Sequence, residues 1–142
     1  MADFTPEQKL AIETQGRVIV SASAGSGKTT VMIEKIIRLI KAGTHVDELL
    51  AVTFTKKAAA QMKEKLAKAL IEAINAPETT DEKRQELKER LSEVPSADVS
   101  TIHSFCARLL RTHFFAADVD NTFRVIDSAD AEGTALKNTA LD

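Results

Sequence analysis

The sequence has 142 residues, of which 44% are hydrophobic and 28% charged, a composition typical of one soluble globular domain. Its formal net charge is −2, which excludes a globally basic nucleic-acid-binding protein, so DNA binding would need a local site. No apolar run approaches the ~20 residues that span a bilayer, and the N-terminus lacks the pattern of a secretory signal. We therefore expect a cytoplasmic protein with no membrane partner.

Cys106 is the single cysteine of the chain, which excludes an internal disulfide and a cysteine metal cluster. It lies in a segment with helical apolar periodicity, so we expect a buried thiol that packs as a small hydrophobic side chain. A reactive thiol is the less favoured alternative.

A capped helix is predicted at the start of the chain. Thr5 suits the N-cap, Pro6 the first helical position, and Gln8 the third position, where it completes a capping box. Residues 10–12 are expected to face inward, and Gly16 to cap the helix end. Capping alone would explain this pattern.

The strongest signal is the segment Arg17–Thr30, which reads RVIVSASAGSGKTT. Its β-branched run predicts a strand over Val18–Ser21, apolar throughout like a central strand buried on both faces. A helical pattern follows from Lys28 to Ala42 and ends at Gly43. A strand, a glycine-rich loop and a helix in this order are the context that a phosphate-binding P-loop requires.

The chemistry of this loop suits a nucleoside triphosphate. Gly25 and Gly27 allow backbone N–H groups to approach phosphate oxygens without a Cβ in the way. Lys28 supplies a compact charge for the β- and γ-phosphates, and the Thr29 hydroxyl is placed to ligate Mg²⁺. Ala22 stands where the pattern has glycine, a departure that a residue with negative φ absorbs. The alternative is a small-residue turn that carries Gly-Lys-Thr by chance.

The middle of the chain predicts a strand followed by two helices. Leu49–Thr53 is the predicted strand, and Thr55 caps a long helix that Pro77 terminates. The segment 78–97 is densely charged, and we interpret it as a charged helical insertion that lies on the surface, outside the core. The long helix carries apolar residues at i, i+4 spacing: Ala58, Met62, Leu66, Leu70 and Ile74.

The last third of the chain predicts a short strand over Asp98–Thr101 and a helix over His103–Phe115. Phe123–Ile126 follows as a brief extended piece, and Asp127 begins another helix, so 127–142 is interpreted as the start of a following subdomain. The apolar residues expected to pack inward from the helix are Phe105, Leu109, Leu110 and Phe114.

Strands that alternate with helices predict an α/β fold with a parallel sheet flanked by helices, as in P-loop NTPases of the RecA-like type. No apolar run ending in Asp-Glu follows the loop, although such a pair would hold Mg²⁺ and orient the attacking water. We therefore expect the chain to bind nucleotide, to hydrolyse it poorly or not at all, and to be the front of a longer protein.

Three further stretches resemble motifs of superfamily 1 DNA helicases. FTPEQKLAI resembles the glutamine motif, AVTFTKKAAAQMKEKL resembles motif Ia, and STIHSFCARLL resembles motif Ib. Together with the loop, they resemble the N-terminal part of the UvrD/Rep family over residues 4 to about 130. SASAGSGKT, ADVSTIHSFC and NTFRVID are most similar to the helicase/nucleases of bacterial double-strand-break repair. The resemblance implies an incomplete N-terminal motor lobe.

The resemblance also implies roles for individual residues. Gln8 reads the adenine edge through its amide, and Lys28 and Thr29 are the catalytic residues, with Thr29 as the metal ligand. Thr30 stands where many relatives carry arginine, so that position offers no arginine to the nucleotide. The implied nucleotide-binding residues are Gln8, Ala22, Ser23, Ala24, Gly25, Ser26, Gly27, Lys28, Thr29 and Thr30.

Single-stranded DNA is implied to lie at the ends of two strands. Phe54 would stack on a base, and the hydroxyl groups and helix N-termini would take phosphates. From the residues alone, Phe54 is a core residue, Thr55 an N-cap and His103 a helix-start histidine. The implied DNA-binding residues are Thr53, Phe54, Thr55, Lys56, Thr101, His103 and Ser104.

The family therefore implies an ATP-dependent DNA helicase, with ATP and Mg²⁺ as cofactors and single- and double-stranded DNA as partners. It further implies a second helicase–nuclease subunit and a place in the cytoplasm at the nucleoid. Two alternatives stay open: a UvrD/Rep-type helicase without nuclease, and a P-loop kinase or signalling NTPase unrelated to DNA. A third is an inactive binding module.

Overall fold

The computed structural model describes residues 4–23, 25–126, 134–135 and 138–139. The chain divides into two compact units, Met1–Thr101 and Ile102–Asp142. The helix predicted to begin at Asp127 lies outside the described residues. In chain order the elements are α1 (Pro6–Glu13), α2 (Lys28–Lys41), β1 (Leu50–Thr53), α3 (Lys56–Asn75), α4 (Asp81–Glu93), β2 (Asp98–Thr101) and α5 (Ile102–Thr112), with short 3₁₀ turns at Val46–Glu48 and Val94–Ser96.

The sheet of the first unit has two parallel strands among the described residues, β1 and β2. Leu50 pairs with Asp98 and Thr53 with Thr101, so both strands end at the same edge. Helix α3 connects the strands through α4 and packs against both of them. These elements confirm the predicted strands at Leu49–Thr53 and Asp98–Thr101 and the predicted parallel α/β arrangement flanked by helices.

The strand predicted at Val18–Ser21 is wrong, because these residues form no strand in the structure. The Val18, Ile19 and Val20 side chains are 40%, 98% and 52% exposed. An apolar run indicates that a segment suits burial on both faces, but a strand also needs neighbours that complete its hydrogen bonds. Within the described residues, neither β1 nor β2 pairs with this segment.

The core of the first unit lies between α2, α3 and α4, with the sheet on one side. The predicted apolar stripe of α3 is confirmed from Met62 to Ile74, while Ala59 takes the buried place expected for Ala58. Helix α4 was expected outside the core, and this is wrong for Leu87, which is fully buried. One apolar side chain that faces α3 is enough to anchor an otherwise charged helix. The largest fully buried side chains are Ile40, Met62, Leu66, Leu70, Leu87 and Val46.

The predicted helix ends are mostly confirmed. The Thr55 hydroxyl accepts a hydrogen bond from the Ala58 N–H at 3.0 Å and so caps α3. Helix α2 ends at Lys41, and Gly43 follows with φ +108°, a left-handed conformation that favours glycine. None of the described helices combines the length and the apolar character needed to cross a membrane.

The second unit exposes the apolar face of α5. Leu109, Leu110 and Phe114 are partly solvent-exposed, and Cys106 is exposed, so the predictions that they pack inward are wrong. The periodicity of a helix identifies its apolar face but not what covers that face. No residue of α5 is buried by the described part of the chain. Phe123–Ile126 forms neither helix nor strand.

Candidate functional site

Helix α1 positions Gln8 through the predicted capping box, which is confirmed. The Thr5 hydroxyl accepts from the Gln8 N–H at 3.3 Å, and the Thr5 N–H donates to Gln8 Oε1 at 3.0 Å. In the same turn, hydrogen bonds from its own backbone N–H and from Thr5 hold the pKa of Glu7 below its usual value. Ile12 is buried as expected, whereas Leu10 is 67% exposed, contrary to its prediction.

The C-terminal end of α1 differs from the prediction. The helix ends at Glu13 and its cap is Thr14 in an extended conformation, with the Thr14 N–H bonded to the Leu10 carbonyl. Gly16 has a left-handed φ of +79° but lies two residues beyond that cap. The chain therefore leaves α1 earlier than predicted and turns at Gly16 toward the loop.

The loop before α2 depends on two glycines in the left-handed region. Gly25 has φ +77° and Gly27 has φ +81°, conformations in which other residues are strained. Gly27 is the N-cap of α2 and offers no side chain to its first turn. The N–H groups of that turn therefore have no side-chain cap, which suits an anion. Ala24, one of the implied binding residues, lies outside the described residues.

Lys28 curls back over the loop that precedes it. Its Nζ donates to the carbonyl of Ala22 at 2.9 Å and to that of Ser23 at 2.6 Å. An ammonium group has three donors, so one donor remains for a further acceptor. Thr29 is exposed in the first turn of α2, and Ser26 Oγ is buried without a hydrogen-bond partner in the described part of the chain. Cationic and hydroxyl groups thus converge at the start of α2.

Gln8 contacts this loop directly, a contact that the sequence pattern did not indicate. Its Nε2 donates to the Ser26 carbonyl at 3.1 Å, and a Cβ placed on Gly27 would lie 3.1 Å from the same nitrogen. A primary amide carries two donor hydrogens and two acceptor lone pairs. The contacts to Thr5 and Ser26 use one of each, so Gln8 can still donate one hydrogen bond and accept another.

A cavity of about 1040 Å³ lies between α1, the loop and the first turns of α2. One wall is apolar, and the opposite end carries Gln8, Lys28 and Thr29. Ligand sites in proteins have this size and this mixture of apolar surface with few polar groups. The arrangement can hold a flat ring beside a polyanion. The apolar side chains that line it are Ala11, Val18, Val20, Val31 and Met32.

Lys35 also lines this cavity, and sequence reasoning missed it. Its Nζ donates to the Thr14 carbonyl at 2.6 Å and to the Ala11 carbonyl at 3.3 Å, both at the end of α1. The available signal was its spacing, because Lys35 follows Lys28 by seven residues, two helical turns on the same face. On the outer surface, hydrogen bonds from Glu34 and Glu13 hold the pKa of Arg38 above its usual value.

The end of β1 presents an aromatic side chain to solvent. Phe54 has a relative exposure of 102%, so the alternative that it is a core residue is wrong. The neighbouring Thr53 hydroxyl donates to the Thr55 carbonyl at 3.0 Å, while the Thr55 hydroxyl caps α3. Lys56 is exposed and begins α3, whose first turn contains no acidic residue. The surface here combines a ring, a helix N-terminus and positive charge.

The structure places the remaining three implied DNA-binding residues in different surroundings. Thr101 ends β2 opposite Thr53 and is only 8% exposed, so its side chain offers little surface. His103 is exposed and Ser104 half-buried in the first turn of α5, which belongs to the second unit. Thr53 and Thr101 are therefore brought together at one edge of the sheet, as parallel pairing predicts.

The sequence over residues 4–141 matches the model of the UvrD/REP helicase N-terminal domain family. The match covers nearly the whole chain, so the chain belongs to the UvrD/REP helicase N-terminal domain family. This assignment confirms the predicted family and excludes the alternative of a kinase or signalling NTPase unrelated to helicases.

The relatives of this chain share one description, the A subunit of an ATP-dependent helicase/nuclease. The protein of Ligilactobacillus salivarius is 41% identical over 140 residues, covering 98% of this chain and 11% of that protein. The Lactobacillus helveticus protein is 42% identical, covering 99% and 12%, and the Pediococcus pentosaceus protein is 43% identical, covering 93% and 11%. The chain thus spans about a tenth of the length of the curated relatives it matches.

Proposed function

We propose that the cavity between α1, the loop and α2 binds ATP together with Mg²⁺. The observation that carries the proposal is the pair of left-handed glycines leading into a helix N-terminus without a side-chain cap, with the Lys28 ammonium over the loop. Phosphate oxygens accept hydrogen bonds from such N–H groups and from the lysine. The apolar wall of the cavity would receive the base. We propose a P-loop fold on this ground.

Each residue has a chemical role in this proposal. Lys28 would exchange its bonds to loop carbonyls for the β- and γ-phosphate oxygens, and Thr29 would hold the metal ion through its hydroxyl. Mg²⁺ neutralises charge on the β- and γ-phosphates. Gln8 would use its remaining donor and acceptor on the adenine edge, which offers one acceptor and one donor side by side. Ser26 Oγ, buried and without a partner in the described residues, is a further donor beside the phosphates.

We propose a second ligand, single-stranded DNA, at the end of β1. The fully exposed ring of Phe54 supports it, because an aromatic side chain at full exposure loses the benefit of burial unless it meets a partner. Stacking of a base on such a ring contributes about 1–3 kcal/mol. The α3 N-terminus and Lys56 lie next to Phe54 and would receive a phosphate. The residues Thr101, His103 and Ser104 are included in this proposal on the family resemblance.

The proposal for the whole protein is an ATP-dependent DNA helicase of the AddA type, acting in the repair of double-strand breaks in the cytoplasm at the nucleoid. The names of the relatives support a helicase/nuclease rather than a UvrD/Rep-type helicase without nuclease. The word subunit in those names supports a partner chain, which we propose to be a second, AddB-like helicase–nuclease subunit. Residues 1–142 would form the front of the motor lobe, with 78–97 as an insertion and 127–142 as the start of the next subdomain.

The test of nucleotide binding compares the chain with Lys28→Ala by titration calorimetry with ATP and Mg²⁺. Charged hydrogen bonds contribute about 1.5–3 kcal/mol each, so affinity should fall by about 10–100-fold. Lys28 is exposed, so the thermal unfolding midpoint should change little. Lys41→Ala is the matched control, since it removes the same charge from the far end of α2.

Two results would contradict the assignment of the site. One is saturable ATP binding that Lys28→Ala leaves intact, and the other is equal loss of binding in the Lys28 and Lys41 variants. In a full-length protein that contains this domain, Lys28→Ala should stop ATP-driven movement on DNA but preserve single-strand binding. An unchanged ATPase rate there would refute the role of Lys28.

A further inference from the structure

We propose that Lys35 is a positioning residue that sets the distance between α1 and the phosphate loop and thereby the selectivity of the cavity for the base of its nucleotide. This inference rests on the proposed ATP site. Lys35 does not act on the phosphates in this account. It acts through Gln8, by holding the helix that carries the Gln8 amide against the helix that carries Lys28.

The contacts of Lys35 occur at the C-terminal end of α1. Its Nζ lies 2.6 Å from the Thr14 carbonyl oxygen and 3.3 Å from that of Ala11, and the contact is partly buried. The last carbonyls of a helix have no intrahelical donors, and they carry partial negative charge. An ammonium group satisfies both requirements at once. Because α1 has only eight residues, one such contact constrains most of the helix.

Gln8 holds the other end of the same helix. Its Nε2 donates to the Ser26 carbonyl at 3.1 Å, so α1 is attached to the loop near its start and to α2 near its end. Two attachment points prevent α1 from pivoting, whereas one would allow it. A third contact, between Arg38 and Glu13 at 3.4 Å, joins side chains that are 45% and 64% exposed. Ion pairs at such exposure contribute little, so Lys35 is the principal attachment at this end.

The position of Lys35 along α2 separates its role from that of Lys28. Seven residues of α-helix correspond to about 10 Å along the axis. Two of the three Lys35 donors are already bonded to α1 carbonyls, and both lysines line the same cavity. Lys28 thus lies at the phosphate end and Lys35 at the end bounded by α1. Loss of Lys35 would release the wall that contacts the base and leave the phosphate loop intact.

The test measures the affinity of the chain for ATP and for inorganic tripolyphosphate, each with Mg²⁺, in wild type, Lys35→Met and Lys35→Arg. Methionine keeps the apolar stem of the side chain but removes the donors. We expect Lys35→Met to bind ATP about tenfold more weakly, the size expected for one charged hydrogen-bonding group, and tripolyphosphate within about twofold of wild type. Lys35→Arg, which keeps the charge and the donors, should recover most of the ATP affinity. Lys41→Met is the control for charge loss on α2 and should match wild type for both ligands.

The possible outcomes distinguish this inference from the proposed site. If wild type binds neither ligand, the nucleotide site itself is wrong. If Lys35→Met loses ATP and tripolyphosphate equally, Lys35 contacts phosphate or supports the whole fold, and the positioning role is refuted. Unchanged ATP affinity in Lys35→Met, or no recovery in Lys35→Arg, also refutes it. The unfolding midpoint of each variant shows whether the chain is still folded, and the ratio of the two affinities is independent of a common loss of folded protein.

Discussion

Replacing Gly27 by alanine tests whether the loop and Gln8 are packed as closely as the structure shows. Gly27 has φ +81°, and a non-glycine residue in the left-handed region is strained by about 1–2 kcal/mol. The added Cβ would also lie 3.1 Å from Gln8 Nε2, so the Gln8 amide must move away from the Ser26 carbonyl. Loss of that hydrogen bond costs about 0.5–1.5 kcal/mol more.

Gly25→Ala is the matched control for this experiment. Gly25 has nearly the same backbone conformation, φ +77°, but a Cβ there meets no atom within 4 Å. Backbone strain and the effect of alanine on the unfolded chain are therefore common to both variants. The difference between them, about 1 kcal/mol, isolates the contact with Gln8.

The assay is the unfolding midpoint and the ATP affinity of both variants. A difference of about 1 kcal/mol corresponds to an unfolding midpoint about 2–5 °C lower for Gly27→Ala than for Gly25→Ala in a chain of this size. Gly27→Ala should also bind ATP more weakly than Gly25→Ala, because it displaces Gln8 as well. Equal midpoints and equal affinities in the two variants would refute the argument that Gln8 is held against Gly27.

Two further predictions concern the core and the DNA contact. Leu87→Ala should lower the free energy of unfolding by about 2–5 kcal/mol, measured in urea, because it leaves a cavity under α4; a loss below about 0.5 kcal/mol, the range of surface substitutions, would show that α4 is outside the core. Phe54→Ala should weaken single-stranded DNA binding by about 1–3 kcal/mol in fluorescence anisotropy, with ATP affinity and unfolding midpoint unchanged because the ring is fully exposed. Equal losses of DNA and ATP affinity would instead indicate a structural role for Phe54.

Local patterns predicted the elements whose signals are themselves local. The capping box of Thr5 and Gln8, the cap at Thr55 and the glycine after α2 depend on residues within a few positions of one another. The same holds for the α3 stripe, whose spacing identifies the buried face. Strands β1 and β2 were predicted because each is short and bounded by clear turns and helices. These features require no knowledge of distant residues.

The wrong predictions concern what lies opposite an apolar residue. Val18–Ser21 has the composition of a central strand, yet the described residues supply no strand to pair with it. Cys106 and Leu109 lie on an apolar helix face that no described residue buries. Leu87 shows the reverse, since a single leucine in a charged helix faces α3 and is fully buried. Periodicity describes one surface only, and burial requires two.

The candidate site was predicted by residue type and missed in its internal contacts. Gly25, Gly27 and Lys28 follow a recognisable spacing, and the structure gathers them with Gln8 around one cavity. The bonds from Gln8 to Ser26 and from Lys35 to the end of α1 join residues 18 and 21 or more positions apart. Contacts at such separations follow from the packing of α1 on α2, which no local pattern specifies.

The exposed run from Val18 to Val20 has a consequence for the behaviour of this protein in solution. Ile19 is almost completely exposed, and its neighbours are about half exposed. Consecutive β-branched residues outside a sheet are a template on which a second molecule can add a strand, and this association grows with concentration. Dilute samples should therefore be monodisperse and concentrated ones should self-associate. Because Val18 and Val20 also line the cavity, a nucleotide that covers them should raise solubility.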